Sequence, residues 1–452
     1  MQIIGTAKRR TIVGLGLTGF SCARYLSSLG VPFRVVDSRE QPPLLARLRS
    51  LLPQVDVKCG CFSETEFDGD DILIVSPGLP LAMPAIRRAI DRGVQIESDV
   101  SLFLAAVDQP VIAITGSNGK STVTTLVAEM LQAAGKQAIA AGNLGTPVLD
   151  LLTDHHQADV YVLELSSFQL ECLDSVGAAA AAILNVSEDH LDRYDSFASY
   201  HAAKQRIYRG ASHIVVNRED RLTDTVRNTR MRCISYGFGR PDIGQFGLLE
   251  DAGENWLVFG RDKLIKAADL ALPGRHNVLN AMAAMALCRS LDIDFAPMIA
   301  TLKRFTGLAH RCQYVATLDG VDFFNDSKAT NVGAAIAAIN GLAEPARPMV
   351  LIAGGQGKNA DFSGLADVVH TLQLSVILIG EDAPLLEAAI GSDWCRHADS
   401  MESAVAEAFV LARPSGIVLL APACASFDMF ANYQQRGDVF VAAVKNLQEG
   451  IS

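Results

Sequence analysis

Short apolar runs, each followed by a glycine turn and then a helical stripe, recur along the chain in the pattern of parallel strands joined by helices. Near the N-terminus such runs lie at 11–13, 33–36 and 72–75, with a helix expected over 20–29 and ended by Gly30. They predict an open parallel sheet of doubly wound type. The pattern resumes at 111–114, 160–163, 181–184 and 213–216, followed by short β-like pieces between 237 and 272 and a helix containing 277–286. From about Leu308 a hairpin is expected over 315–324, turning at Asp319-Gly320 in a type I′ turn, with strands at 349–352, 376–379 and 417–420. The fold class is therefore α/β in three domains. These are an N-terminal Rossmann-like parallel sheet (1–98), a central P-loop-type ATPase α/β domain (99–307) and a C-terminal Rossmann-like α/β domain (308–452).

Composition narrows the class. Of 452 residues, 49% are apolar and 20% charged, which fits a folded protein and not a disordered one. A net charge of -11 without a basic run argues against nucleic acid or an anionic membrane as principal partner. Nine scattered cysteines form neither a disulfide framework nor a zinc spacing, and no apolar window is long enough for a membrane span, so a cytoplasmic location is expected.

The chemistry concentrates at Thr115-Gly-Ser-Asn-Gly-Lys-Ser-Thr122. An apolar run precedes it. After it Val123, Leu126, Val127, Met130 and Leu131 share one helical stripe that Gly135 ends. Strand, glycine turn, Lys-Ser and helix together aim backbone N–H groups, a helix N-terminus and one ammonium at a polyphosphate, with the Ser121 hydroxyl placed for a phosphate-bound Mg²⁺. Ile114 stands where the common P-loop has its first glycine.

Other segments admit more than one reading. Gly14-Leu-Gly-Leu-Thr-Gly19, with Asp37 ending the next strand, fits a nicotinamide dinucleotide, and equally any nucleotide diphosphate, a UDP sugar included. Glu164 ends a strand beside the P-loop and could hold the nucleotide's metal or be an ordinary surface glutamate. His190 is a metal ligand or a loop histidine, and Asn277 a helix cap or an adenine contact. Arg311 is a phosphate ligand or a solvated arginine. In Asn325-Asp-Ser-Lys-Ala-Thr-Asn331, Asp326 or Ser327 could cap the following helix, or the acid, hydroxyl and ammonium could serve a phosphorylated intermediate. Gly354-Gly-Gln-Gly-Lys358 and Pro422-Ala-Cys-Ala-Ser-Phe-Asp428 likewise end strands.

In order, the P-loop segment, Glu164-Leu-Ser-Ser-Phe-Gln169, Glu188-Asp-His-Leu-Asp-Arg-Tyr194, His276-Asn277, His310-Arg311 and Asn325 to Asn331 resemble the motifs of the Mur ligases. These are ATP-dependent amide-forming enzymes of peptidoglycan precursor synthesis, and the short P-loop is their variant. The resemblance covers essentially the whole chain. It implies that ATP, UDP-N-acetylmuramoyl-L-alanine and glutamate are the substrates, joined through an acyl phosphate by a monomer. ATP would be held by Gly116, Asn118, Gly119, Lys120, Ser121, Thr122, Asn277, Arg311 and Asp326. The first domain would take the UDP sugar through Gly16, Leu17, Thr18, Asp37, Ser38, Arg39 and Ser76, with Asn143 completing the site.

Two Mg²⁺ ions are implied, one at Ser121 and a second at Glu164 and His190, with Lys204 carbamylated so that it too can bind metal. Lys120, Glu164, His190, Lys204 and Lys328 form the implied catalytic set. Thr330, Lys358, Ser426, Phe427 and Tyr433 would receive the glutamate. Tyr433 stands where the family frequently has Phe, and Gln356 where an acidic residue is common. The residue types leave open D- or L-glutamate or another amino acid. A nicotinamide-dependent oxidoreductase would explain Gly14 to Asp37 but leave Glu164, His190 and Asp326 to Lys328 idle. A regulatory ATPase without synthetic activity is the third reading.

Overall fold

The computed structural model describes residues 8–189, 193–226, 231–344, 347–357 and 360–451. The expectations for His190 and Lys358 fall outside them. The N-terminal sheet contains β1 (Arg10–Val13), β2 (Arg34–Asp37), β3 (Val57–Cys59), β4 (Ile72–Val75) and β5 (Gln95–Glu97), in the order β3-β2-β1-β4-β5 and all parallel. The central sheet contains β6 (Val111–Thr115), β7 (Ala138–Gly142), β8 (Val160–Glu164), β9 (Ala180–Ile183), β10 (His213–Asn217) and β11 (Arg232–Tyr236). Its order is β11-β10-β9-β6-β8-β7, again parallel throughout, so the P-loop strand is flanked by β8 and β9.

The β-like pieces after Gly237 form an antiparallel meander of β12 (Phe246–Asp251), β13 (Glu254–Phe259) and β14 (Asp262–Lys266). The C-terminal sheet holds β15 (Gln313–Leu318), β16 (Val321–Asn325), β17 (Met349–Gly354), β18 (Ser375–Ile379), β19 (Cys395–His397) and β20 (Ile417–Leu420). It runs β15-β16-β20-β17-β18-β19, with only the β15–β16 hairpin antiparallel. Asp319 and Gly320 take φ of 45° and 81°, the left-handed pair a type I′ turn requires. The three chemistry-bearing loops after Asn325, Gly354 and Leu420 therefore leave three adjacent strands, β16, β20 and β17, at their carboxyl ends.

Two differences from expectation have plain causes. The first helix begins at Leu17, directly after Gly16, and not at Phe20, because Gly19 is accommodated inside its first turn. The helix after β16 starts only at Val332 and is capped by Asn331, whose side chain accepts from the Ala334 N–H at 2.8 Å; neither Asp326 nor Ser327 caps it. Strands β3, β5, β7 and β19 escape the hydrophobic pattern because they are short or built of Ala and Gly.

One hydrophobic cluster runs from Ile12 and Phe20 through Val100 and Phe103 to Tyr161 and Leu163, so the first two sheets share a core. Arg24 adds ion pairs to Asp150 and Asp154 across that junction. The C-terminal sheet packs in clusters made of its own residues only. Its boundary with the central domain encloses a cavity lined by both polar and apolar residues. No described helix is long and apolar enough to cross a membrane.

Asp99 is buried at the start of the Asp99–Ala106 helix, with Oδ1 lacking a hydrogen-bond partner. Burial pushes its carboxyl up to about 6, with the Val100 and Asp99 N–H groups pulling weakly the other way. An acid raised in the folded state binds more protons there than when unfolded, so stability falls as pH rises through the window from roughly 4 to 6. Asp99→Asn should therefore be more stable than the parent at pH 8, by roughly 1–3 kcal/mol, and lose that advantage near pH 4. Thermal melts of both proteins across that range check it; a pH-independent difference would count against the buried acid.

Candidate active site

The phosphate loop is held by its neighbours, through its side chains and through the Ser117 and Asn118 backbone; the Ser117 N–H donates to Asn185 O at 2.9 Å. Asn185, in the loop after β9, accepts from the Asn118 N–H at 2.8 Å through Oδ1 and donates to the Asn118 carbonyl at 3.0 Å. The Ser117 hydroxyl is hydrogen-bonded to the Tyr200 hydroxyl at 2.9 Å and donates to the Ser187 carbonyl at 2.9 Å. Gly119 precedes the helix Lys120–Ala133 with φ of 81°, a conformation that suits glycine.

Two ammonium groups meet at one carbonyl. Lys120 donates to Gly116 O at 2.8 Å and to Ser117 O at 2.9 Å, and Lys204 donates to the same Gly116 O at 2.9 Å. Lys204, on the helix Phe197–Gln205, is 2% exposed and lies over the Tyr200 ring at 4.5 Å. Burial, reinforced by Lys120, holds its amine well below the ordinary lysine range, although Asp189 and Glu164 pull the other way. Burial lowers Lys120 as well.

Glu164 ends β8 directly opposite Ile114 of the P-loop strand. Its Oε2 accepts from Ser121 at 2.5 Å and its Oε1 from Asn143 at 2.7 Å. Arg311, from the start of the C-terminal domain, donates to the same Ser121 hydroxyl at 2.6 Å. Asp326 follows β16 on the far wall, and burial pushes its carboxyl up to about 6 against the pull of Arg311. Carboxylate, hydroxyl and amide oxygens are the hard donors that Mg²⁺ selects.

A cavity of about 890 Å³ between the central and C-terminal domains gathers most of the expected residues. Asn118, Gly119, Lys120, Ser121, Thr122, Asn143, Glu164, Lys204 and Asn277 line it from the central domain. Arg311, Asp326, Lys328, Thr330, Ser426, Phe427 and Tyr433 line it from the C-terminal side. Gly116 lies behind the wall, its carbonyl taken by the two lysines. Asn277 is not the helix cap: Gly274 precedes the helix, and the Asn277 amide donates to Pro273 O at 2.7 Å.

The remaining UDP-sugar candidates lie apart, at the carboxyl ends of β1, β2 and β4. Leu17 is 70% exposed there, and Ser76 donates to Gly14 O. Both oxygens of Asp37 are engaged by the Leu15 and Arg39 N–H groups and the Arg39 guanidinium. Burial alone would raise this carboxyl, but those bonds hold it below the usual range. An Asp so occupied is poorly placed to take a ribose hydroxyl.

Sequence reasoning missed several residues. Arg193 donates to Pro77 O, Gly78 O and Leu79 O, tying the loop after β4 to the central domain, and stacks on Phe168 at 4.2 Å. Arg436 is 1% exposed and donates to Ser327, Cys424, Ala425 and Gly354, bracing all three strand-end loops of the C-terminal domain. Burial lowers it to about 10, which still leaves it charged at neutral pH. No spacing rule announces an arginine that binds carbonyls across a fold.

Three family models match the chain: the MurD-like N-terminal domain of Mur ligases over 8–98, the Mur ligase middle domain over 114–288 and the Mur ligase glutamate ligase domain over 310–424. The UDP-N-acetylmuramoylalanine--D-glutamate ligase of Pseudomonas aeruginosa is 50% identical over 450 residues, covering 99% of this chain and 100% of the relative. The enzyme of the same name from Marinobacter nauticus is 48% identical over 448 residues, with the same coverage. Among solved structures, a pseudomurein peptide ligase type C from Methanothermus fervidus aligns with a TM-score of 0.61 at 19% identity, covering 98% of this chain and 100% of its own. The UDP-N-acetylmuramate-alanine ligase of Thermotoga maritima aligns at 0.58 and 20% identity, covering 97% and 99%. Both share the fold.

A Cβ at position 119 would stand 2.6 Å from Asn280 Oδ1, at a φ that strains any L side chain. Gly119→Ala should weaken ATP binding about tenfold or more, with a modest loss of stability on the order of 1–2 kcal/mol. Isothermal titration with ATP reads this directly; parental affinity would show that the loop does not carry the nucleotide.

Proposed function

The chain belongs to the Mur ligase family, and from that premise we propose that it joins D-glutamate to UDP-N-acetylmuramoyl-L-alanine, converting ATP to ADP and phosphate, in peptidoglycan precursor synthesis. It would act as a monomer in the cytoplasm. The observation that carries the reading is the single cavity in which the P-loop, Glu164 and the C-terminal Arg311, Asp326 and Lys328 face one another. Groups from such distant parts of the chain suit a reaction that brings two anions and an amine together.

In this reading the alanyl carboxylate attacks the γ-phosphorus of ATP in line, forming an acyl phosphate and releasing ADP. The glutamate amine then attacks the activated carbonyl carbon. The C–N bond forms, the C–O bond to phosphate breaks, phosphate leaves with that electron pair, and the amine nitrogen gives up a proton to the departing phosphate or solvent. A bare carboxylate would have to expel oxide, which is why phosphorylation must come first. Lys120 and Arg311 offset the charge gathered on the transferring phosphoryl group, and Lys328 extends that role toward the acceptor. Ser121 and Glu164, with His190, would hold Mg²⁺, which when bound neutralises phosphate charge and aligns the oxygens. Thr330, Lys358, Ser426, Phe427 and Tyr433 would receive the glutamate, and the crevice at Leu17, Thr18, Asp37, Ser38, Arg39 and Ser76 the uridine diphosphate.

The buried Lys204 fits the carbamate reading. A neutral amine can add CO₂, forming an N–C bond and releasing one proton, which turns a would-be cation into an anion beside Lys120. Protein equilibrated with ¹³C-bicarbonate should then show a carbamate carbon resonance that Lys204→Arg lacks. Its absence in protein saturated with bicarbonate would remove the modification from the account.

ADP should form only when UDP-N-acetylmuramoyl-L-alanine and D-glutamate are both present, and the product mass should equal their condensation. ADP formation indifferent to either substrate would overturn the reading. Lys120→Ala should lower turnover by about 10²–10³-fold, the scale of one preorganised charge contact.

A further inference from the structure

Among the described residues, the buried members of the central and C-terminal hydrophobic clusters are separate, and polar ties and close approaches cross the boundary between the two domains. One tie is made by Asn331, the residue that caps the helix Val332–Leu342. Its Oδ1 is committed to the cap, accepting from the Ala334 N–H at 2.8 Å. That commitment turns the amide NH₂ outward across the domain boundary. There it donates to Asp189 Oδ2 at 3.1 Å and makes a longer contact, 3.4 Å, with Oδ1 of Asn118 in the phosphate loop. The helix it caps comes unusually near the central domain. A Cβ at Gly333 would lie 3.1 Å from the Ser187 hydroxyl, and one at Gly341 only 2.8 Å from His276 Cε1.

We propose that Asn331 is a positioning residue for the phosphoryl-transfer step, setting the register between the C-terminal domain and the phosphate loop. The inference rests on the ligase reading. One planar amide couples two events: the cap fixes the helix, and the NH₂ is satisfied only when that helix stands over Asn118 and Asp189. In the same arrangement Arg311 donates to the Ser121 hydroxyl. Asn331 itself touches no reacting atom in this scheme; it acts through where it holds the domain.

Asn331→Asp separates the two jobs. Aspartate caps a helix as well as asparagine, so the cap survives, but both donors are lost and a like charge faces Asp189. The expected result is a melting temperature near the parent's, a kcat lowered about 10- to 100-fold, and less compaction by small-angle scattering when ADP and the UDP sugar are added together. Pairing Asn331→Asp with Asp189→Asn reverses donor and acceptor across the same gap and should recover part of both losses. Asn331→Ala should lose cap and tie together, falling in stability as well as turnover. The proposal is overturned if Asn331→Asp keeps parental kcat and compaction, or if its loss of turnover merely tracks a loss of melting temperature. Failure of the parent to form ADP would sink the ligase reading instead, while the scattering comparison would still report on the tie.

Discussion

A glycine-rich phosphate loop makes few backbone bonds within itself, so its neighbours must hold its shape. Everything around residues 115–122 follows from that constraint. Lys120 and Lys204 take the Gly116 carbonyl, Asn185 clasps both backbone polar groups of Asn118, and Tyr200 and Ser187 fix the Ser117 side chain. Apart from Lys120, these partners come from the loop after β9 and from the helix Phe197–Gln205, so the parallel sheet order is what delivers them. Remove the neighbours and the glycines alone would leave a floppy turn.

Electrostatics follows from the same crowding. Two lysines on one buried carbonyl disfavour each other's charge, and burial lowers both amines, Lys204 further. The chain is acidic overall, yet basic side chains concentrate where polyphosphate would sit, with Glu164 beside them and Asp326 on the far wall. That alternation of sign suits a reaction in which anions must be brought together and then separated.

Arginines make the long-range joints. Arg24 and Arg193 secure the N-terminal domain, which already shares an apolar core with the central one. Arg436 braces the C-terminal loops from within, and Arg311 reaches across the polar boundary to Ser121. A shared hydrophobic core resists separation, whereas a hydrogen-bonded boundary can open and reform. The molecule therefore has one joint with a shared apolar core and one without, and the cavity lies at the second.

Local pattern made much of this legible. Alternation of apolar runs and glycine turns determined the three parallel sheets, because strand and helix periods depend on neighbouring residues only. The P-loop, the strand-end position of Glu164 and the Asp319-Gly320 turn were readable for the same reason. What Asn277, Arg311 and Asp326 face was not, since cap, surface and ligand positions use the same residue types. Tertiary structure alone decided that Asp37 spends both oxygens on Arg39 and on the glycine turn at Leu15, that Asn331 caps the helix expected of Asp326 or Ser327, and that Arg436 bridges five backbone and hydroxyl oxygens. Those outcomes depend on which atoms come within about 3 Å through space, and distance between residues far apart in the chain is not written in their order.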